Sequence, residues 1–356
     1  MGPSSGNRAG AARQRMTRLK MNAPHPLARS PQGMAQTVPA DRLDIAVLIP
    51  CYNEESAIAA VVAGFRDALP RSRIYVYDNN SRDNTAAIGR AAGAIVRHER
   101  LQGKGHVVAR MFADIEADVY ILVDGDNTYD APAAPELVDH LLENRLDLVN
   151  AARNGTHERP GHRFGNDLFN RITGWVFGSS FEDMLSGYKV LSRRFVKSFP
   201  ALATGFEIET ELIVHALRLR MPVAELPSSY GRRAEGSASK LRTGPDGLRI
   251  LWAIFRLVKG ERPLAFFTGV FALLAAFAIT LGASVVATFV ETGLVPRLPT
   301  AVLSTGLMVL AFLSLAAGFI LDTVTRGRTE MKRLHYLSLH APGEGSCKNS
   351  RSMDFK

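Results

Sequence analysis

The 356-residue chain predicts an α/β protein, a mostly parallel sheet with helices on both faces, followed by a hairpin of two apolar helices. Three observations carry this. Strand-like and helix-like patterns alternate from residue 44 to residue 152, and polar clusters stand at the ends of successive strand-like runs. Two later runs, 264–290 and 298–321, contain no charged residue.

The elements follow in order. "DIAVLIP" (44–50) is an apolar run of strand length ending at Pro50. "ESAIAAVVAGFRDALP" (55–70) sets Ile58, Val61, Val62, Phe65 and Leu69 on one helical stripe, with acids in the first turn and Pro70 beyond the end. "RIYVYD" (73–78) is a second strand, and "SRDNTAAIGRAAG" (81–93) a short helix with Ser and Asp as caps and Gly93 as its stop. "AIVRH" (94–98) is a third strand, "GKGHVVARMFADI" (103–115) a third helix and "DVYILVD" (118–124) a fourth strand. "APAAPELVDHLLEN" (131–144) is helical and "DLVNAA" (147–152) is strand again. Such alternation gives a parallel sheet covered on both faces.

The two uncharged runs are each long enough, at about 1.5 Å per residue, to cross a hydrocarbon core of roughly 30 Å. The link "ETGLVPRLPT" (291–300) allows only a hairpin. Lys259 and Arg262 precede the pair, and Arg326, Arg328, Lys332 and Arg333 follow it. Positive-inside counting then puts the main domain and the C-terminal tail in the cytoplasm, in a multi-pass cytoplasmic-membrane protein. Before the hairpin, residues 246–262 read as an amphipathic helix in the interface plane. Asp246, Arg249, Arg256 and Lys259 mark one face and Leu248, Leu251, Trp252, Phe255 and Val258 the other.

Net charge is +9, but residues 1–42 contribute +6 and residues 323–356 contribute +4, leaving the body at −1. Basic tails on a nearly neutral body favour a membrane surface over a nucleic-acid groove, so no nucleic-acid partner is expected. Two cysteines, Cys51 and Cys347, make neither a disulfide framework nor a metal set. Residues 1–42 lack any apolar run or period and read as a disordered basic tail without a signal-peptide core. The expected organisation is a tail (1–42), a catalytic domain (43–245), the interfacial helix (246–262), two spans (263–322) and a basic cytoplasmic tail (323–356).

Open α/β sheets bind ligands at the carboxyl ends of their strands. There the chain places Pro50, Tyr52, Asn53 and Glu54, then Asp78, Asn79, Asn80 and Ser81, then "QGKG", then Asp124, Gly125 and Asp126. Taken singly, "YNEE" also reads as helix N-terminal acids, "DNNSRDNT" as an Asx-rich turn, and "QGKG" as a glycine turn with an exposed lysine. "QGKG" lacks Walker spacing, and no GxGxxG follows the first strand, which disfavours a nicotinamide dehydrogenase. Asp124 and Asp126 say more. Residues i and i+2 of a strand share a side, so the two carboxylates repel unless a divalent cation, Mg²⁺ or Mn²⁺, sits between them. A hard cation with open positions calls for a diphosphate ligand. Lys104 adds charge to the same leaving group, and Gly125 lets a ligand approach the backbone.

"LIPCYNEE", "YDNNSRDNT", "GKG", "DGD", "DMLSGYKV" and "RRAEGSASK" together resemble the family 2 inverting glycosyltransferases that make polyprenyl- or dolichyl-phosphate sugars, over roughly residues 44–262. The resemblance implies a GT-A-like nucleotide-sugar-binding domain followed by the transmembrane hairpin. It implies that Pro50, Tyr52, Asn53 and Glu54 line the nucleotide pocket, that Asp78 contacts base or ribose, and that Gly103, Lys104, Asp124 and Gly125 belong to the donor site. Asn79 stands where an acid is common, and Thr128 where many relatives add a Gln to the metal ligands at Asp124 and Asp126.

Asp183 matches the acid near the sugar's reacting carbon, though a turn or capping acid is its plainer reading. Arg233, Ser239 and Lys240 match an Arg-x-x-Gly-x-Ser-Lys element with one extra residue, and become ligands of the acceptor phosphate. Arg153 and Arg163 are further candidates for that anion, against a plain surface role. Glu207 and Glu211 read as structural helix residues.

The resemblance thus implies transfer from a nucleotide-diphosphate sugar to polyprenyl phosphate, with Asp126, Asp183, Arg233 and Lys240 as the catalytic set. A phosphate acceptor is already anionic, so Asp183 is expected to position rather than deprotonate. Transfer to a hydroxyl, with Asp183 as a true base, stays open, as do a catalytically silent nucleotide-sugar-binding scaffold and assembly into a homo-oligomer.

Overall fold

The structure, a computed structural model, describes residues 43–154, 174, 181, 183–202, 205, 207–231 and 259–342. Four units repeat strand then helix: β1 (Ile45–Cys51), α1 (Ile58–Ala68), β2 (Arg73–Asp78), α2 (Thr85–Ala91), β3 (Ile95–His98), α3 (Lys104–Asp114), β4 (Val119–Leu122) and α4 (Ala134–Glu143). After them come β5 (Leu148–Asn154), β6 (Lys189–Ser192), α5 (Arg193–Ser198), α6 (Ile208–Arg218) and β7 (Val223–Ser229). Two long helices follow, α7 (Pro263–Thr292) and α8 (Leu298–Leu337).

The sheet runs β3-β2-β1-β4-β6-β5-β7. β1 pairs in parallel with β2 and β4, and β2 with β3. β6 alone is antiparallel to both its neighbours, while β5 and β7 pair in parallel. The expected mostly parallel sheet is therefore present, with one reversed strand.

Side chains alternate across the sheet, as the strand period requires. Ala46 and Leu48 of β1 enter one core with Met111 of α3, Phe195 of α5 and Leu212 of α6. Val47 and Ile49 enter the other with Val62 and Phe65 of α1 and Leu137 and Leu141 of α4. Burial of β1 and β4 on both faces explains why their sequences read as continuous apolar runs rather than alternating ones.

Helix boundaries shift in one instructive place. The sequence puts acids in the first turn of α1, but α1 begins at Ile58 and has none there. Glu54 and Glu55 instead lie in the loop between β1 and α1, with the amide of Glu54 donating to Thr85 Oγ1 at 2.8 Å. Local bonds to side chains at the start of α2 outcompete an extra first turn of α1.

Helices α7 and α8 are long and apolar enough to cross a membrane. They pack as an antiparallel pair through small residues. Ser304 Oγ donates to the Ala278 carbonyl at 2.8 Å, and Gly318 faces Phe267 so closely that an added methyl would meet its Cβ at 2.9 Å. Their outward faces leave Phe277, Phe312 and Leu313 exposed. The sequence ends the second span at 322, yet α8 continues unbroken to Leu337. This extension docks on the sheet domain. Tyr336 is buried, its hydroxyl donates to Asp147 Oδ2 at 2.7 Å, and Arg194 lies 4.4 Å above its ring. The interfacial helix expected at 246–262 lies outside the described residues for most of its length.

Candidate active site

The carboxyl ends of β2, β1 and β4 lie side by side in the sheet, and their loops are held by mutual side-chain bonds. Asn53, Asn80 and Asn127, one after each of these strands, stand in the left-handed region with φ of 53°, 62° and 58°. Asparagine tolerates that conformation better than other residues with a Cβ. Asn53 also joins two loops: its amide donates to Ser81 Oγ at 2.9 Å and its Oδ1 accepts from the Arg82 amide at 2.8 Å. Pro50 and Tyr52 are half-buried beside it, and Glu54 is buried.

Asp78 ends β2 and is buried. Its carboxylate accepts from the Ser81 amide at 3.3 Å and lies 3.1 Å from His98 Nδ1. Asn79 turns the other way and wires the next loop: Nδ2 donates to the carbonyls of Glu99 and Leu101 at 3.0 and 2.7 Å, and Oδ1 accepts from the Gly103 amide at 2.7 Å. Gly103, the cap residue of α3, has φ 135°, a conformation that residues with a side chain rarely adopt, and Lys104 opens the helix directly after it.

The Lys104 side chain is only 9 % exposed, and its ammonium bridges the carboxylates of Asp124 and Glu209. Burial works against that charge, but the two carboxylates outweigh burial and hold the ammonium protonated above the ordinary lysine range. Burial pushes the Glu209 carboxyl up, against the pull of Lys104. The sequence does not single out Glu209, whereas its neighbours Glu207 and Glu211 read as structural helix residues. Glu207 precedes α6 as its cap residue, whereas Glu209 in the first turn faces the site.

Asp126 is buried, and its Oδ1 accepts from Thr128 Oγ1 at 2.6 Å and from the Thr128 amide at 3.2 Å. Thr128, at the place of the expected extra ligand, thus clamps Asp126. Gly125 has a packing reason of its own. A methyl there would sit 2.7 Å from Cys51 Sγ, so the glycine lets β1 approach closely. Gly187 presses on the site from the other side, where a methyl would fall 2.2 Å from Asp124 Oδ2. Its amide donates to Tyr129 Oη at 2.7 Å, which fixes the approach.

Among the described residues no three His, Cys, Asp or Glu side chains gather as a closed metal cage. The donor set is nonetheless of the right kind. One part-exposed carboxylate and one buried carboxylate, Asp124 and Asp126, match the one or two carboxylates that Mg²⁺ uses beside substrate phosphates.

Asp183 and Arg153 form one unit at the ends of β5 and the segment before β6. Asp183 Oδ2 accepts from Arg153 Nε at 2.6 Å and from its backbone amide at 3.1 Å, and Oδ1 accepts from Nη2 at 2.8 Å. The Arg153 guanidinium also stacks 5.5 Å over Tyr230. Burial would raise the Asp183 carboxyl, but the hydrogen bonds and charge of Arg153 overcome it and hold it below the usual range. The Asp183 amide donates to Glu225 Oε1 at 3.0 Å, and Asn150 Nδ2 holds both the Asp183 carbonyl and Glu225, each at 2.8 Å. Behind it, the fully buried Lys189 donates to Asn150 Oδ1 at 2.8 Å, and burial lowers its ammonium to about 8. Arg163, Arg233, Ser239 and Lys240 lie outside the described residues.

The family model described as glycosyl transferase family 2 matches residues 46–197. The chain is 33% identical over 232 residues to the glycosyltransferase AglJ of Haloferax volcanii, covering 64% of this chain and 76% of that protein. It is 28% identical over 223 residues to the dolichyl-phosphate hexose transferase of the same organism, covering 62% of this chain and 96% of that protein. Among solved structures, the glucosyl-3-phosphoglycerate synthase of Mycobacterium tuberculosis in complex with Mn²⁺, UDP-glucose and phosphoglyceric acid aligns with a TM-score of 0.51 at 22% identity, covering 62% of this chain and 80% of that one. That likeness is one of fold.

Proposed function

This chain belongs to glycosyl transferase family 2, and on that premise we propose that it transfers a sugar from a nucleotide-diphosphate sugar to polyprenyl phosphate, with inversion at the anomeric carbon. The observation that carries the choice of acceptor is the Arg153–Asp183 pair. A carboxylate with both oxygens in a guanidinium fork and its pKa held low is a weak base. It suits an acceptor that arrives already ionised, and it leaves a hydroxyl acceptor without a base at this position. The name of the dolichyl-phosphate relative supports the same direction.

In this reading an acceptor phosphate oxygen attacks the anomeric carbon as the bond to the nucleoside diphosphate breaks on the opposite face. No proton need move in that step. Pro50, Tyr52, Asn53 and Glu54 wall the nucleotide, and Asp78 takes base or ribose. Asp124 and Asp126 would hold Mg²⁺ or Mn²⁺, which when bound supplies Lewis-acid neutralisation of the diphosphate. Lys104 fixes Asp124 and adds positive charge behind it. Such preorganised charge, already paired before donor arrives, is worth most in a site closed to water. Arg153, Arg163, Arg233, Ser239 and Lys240 bind the acceptor phosphate, with Asp183 orienting Arg153. We read α7 and α8 as a transmembrane hairpin, with the sheet domain and the C-terminal segment on the cytoplasmic side, since basic residues flank both open ends.

The test is a pair of titrations, acceptor and donor, on wild type and on the Arg233→Gln/Lys240→Gln double variant. The apparent requirement for polyprenyl phosphate should rise about tenfold or more for each lost charge-assisted bond, with the donor curve in place. A donor curve that moves while the acceptor curve stays would assign these cations to the diphosphate and overturn the acceptor site.

A further inference from the structure

Where α6, the start of α7 and the cytoplasmic extension of α8 meet, they line an open cavity of about 620 Å³ that is separate from the sheet-edge site. Five arginines line it, Arg218, Arg220, Arg262, Arg326 and Arg333, against the three carboxylates Glu261, Asp322 and Glu330. Two of the carboxylates are matched by neighbours, Glu261 by Arg218 at 3.1 Å and Asp322 by Arg326 at 2.8 Å. The lining therefore keeps a positive excess. Leu264 and Ala265, in the first turn of α7, supply an apolar lip on the side of the span. Arg220 holds its place at φ 51°, just past the end of α6, where glycine or asparagine is the usual residue.

The placement decides the ligand. Arg262 immediately precedes α7, and Arg326 lies one turn past Asp322, the first charged residue after the uncharged run of α8. On the membrane-spanning reading, on which this inference rests, that is the height of the lipid phosphates on the cytoplasmic side. An arginine fork pairs with a phosphate through two parallel bonds, and the apolar lip faces the acyl chains. We propose that this cavity binds the phosphate of an anionic membrane phospholipid, as a second lipid site distinct from the one for the acceptor. Its occupancy would tie the catalytic domain to the bilayer surface at a fixed height.

The experiment uses the full chain in a neutral detergent and follows its unfolding temperature as short-chain phosphatidylglycerol, short-chain phosphatidylcholine, inorganic phosphate or polyprenyl phosphate is added. Phosphatidylglycerol should raise it saturably and phosphatidylcholine should not. The half-saturating concentration should rise about tenfold in each of Arg220→Gln and Arg326→Gln. Arg333→Gln, an exposed position on α8, serves where either variant folds poorly. Three outcomes overturn the proposal: an equal response to phosphatidylcholine, an unchanged response in the variants, or a variant-sensitive response to polyprenyl phosphate alone, which would make the cavity the acceptor site. An identical shift with inorganic phosphate would assign the cavity to a free anion and overturn the lipid. Alkaline carbonate extraction separates this from the membrane reading. A chain that stays in the membrane pellet yet ignores phosphatidylglycerol loses only this site, whereas one that washes off loses its spans.

Discussion

The ammonium of Lys104 meets Glu209, 105 positions away in sequence, and holds Asp124 on its other side. The Lys104 and Glu209 side chains are shielded from water while Asp124 is part-exposed, so the inner pair depends most on its own charges. Lys104→Met should cost about 3–5 kcal/mol in chemical denaturation of the detergent-solubilised chain, because it leaves two facing carboxylates uncompensated. Adding Glu209→Met should recover part of that loss. Additive costs in the double variant would mean the two residues do not act as a pair.

Gly187 lies against the Asp124 carboxylate, where an added methyl would fall 2.2 Å from Oδ2. Gly187→Ala should push the Asp124 carboxylate out of position and lower transfer roughly a hundredfold or more, with the unfolding midpoint changed far less. Wild-type transfer by this variant would show that the placement of Asp124 is immaterial.

Asp183 offers a test by pH. Its folded carboxyl lies below the unfolded value of about 3.9, so its contribution to stability is complete above about pH 5 and is lost as pH falls through the lower folded value. Between pH 5 and 9 it does not titrate. Asp183→Asn should therefore lower transfer by releasing Arg153 while leaving the shape of the pH–rate profile in that window unchanged. Loss of an acid limb in the variant would identify Asp183 as a base. Arg153→Lys should fail to rescue, since a point charge cannot reproduce the two-oxygen grip.

How much of this could be read from sequence follows from how local each signal is. The alternation from β1 to β5 was legible because apolar runs and helical stripes are local patterns. Asp124 and Asp126 were legible as two acids closing an apolar run, although β4 ends at Leu122 and both lie in the turn beyond it rather than on one side of the strand. Glu209 was not, since its reason is a lysine in another unit of the sheet. Nor was the role of Gly125, which answers to Cys51 on a neighbouring strand. Nor was the reversal of β6, because its direction is set by the strands it joins across the sheet, β4 and β5. The pairing of Arg153 with Asp183 joined two residues that had each been proposed separately for the acceptor side.

The α8 extension gives a further expectation. Tyr336 and Arg194 both bond the fully buried Asp147. Tyr336→Phe should cost about 0.5–1.5 kcal/mol and Tyr336→Ala about 3–5 kcal/mol, the latter through lost packing. Accessibility labelling of single cysteines should find residue 340 on the cytoplasmic side and residue 295 outside. Labelling of both from one side would mean that one helix does not cross.

The most direct measurement offers the purified chain two acceptors, polyprenyl phosphate and the same polyprenol without phosphate, with a panel of nucleotide sugars and Mg²⁺ or Mn²⁺, and weighs the lipid product. One donor should yield polyprenyl phosphate plus one sugar, with the anomeric configuration inverted and no product from the free alcohol. A sugar on the alcohol, or transfer that needs Asp183 as a base, would contradict the phosphate acceptor.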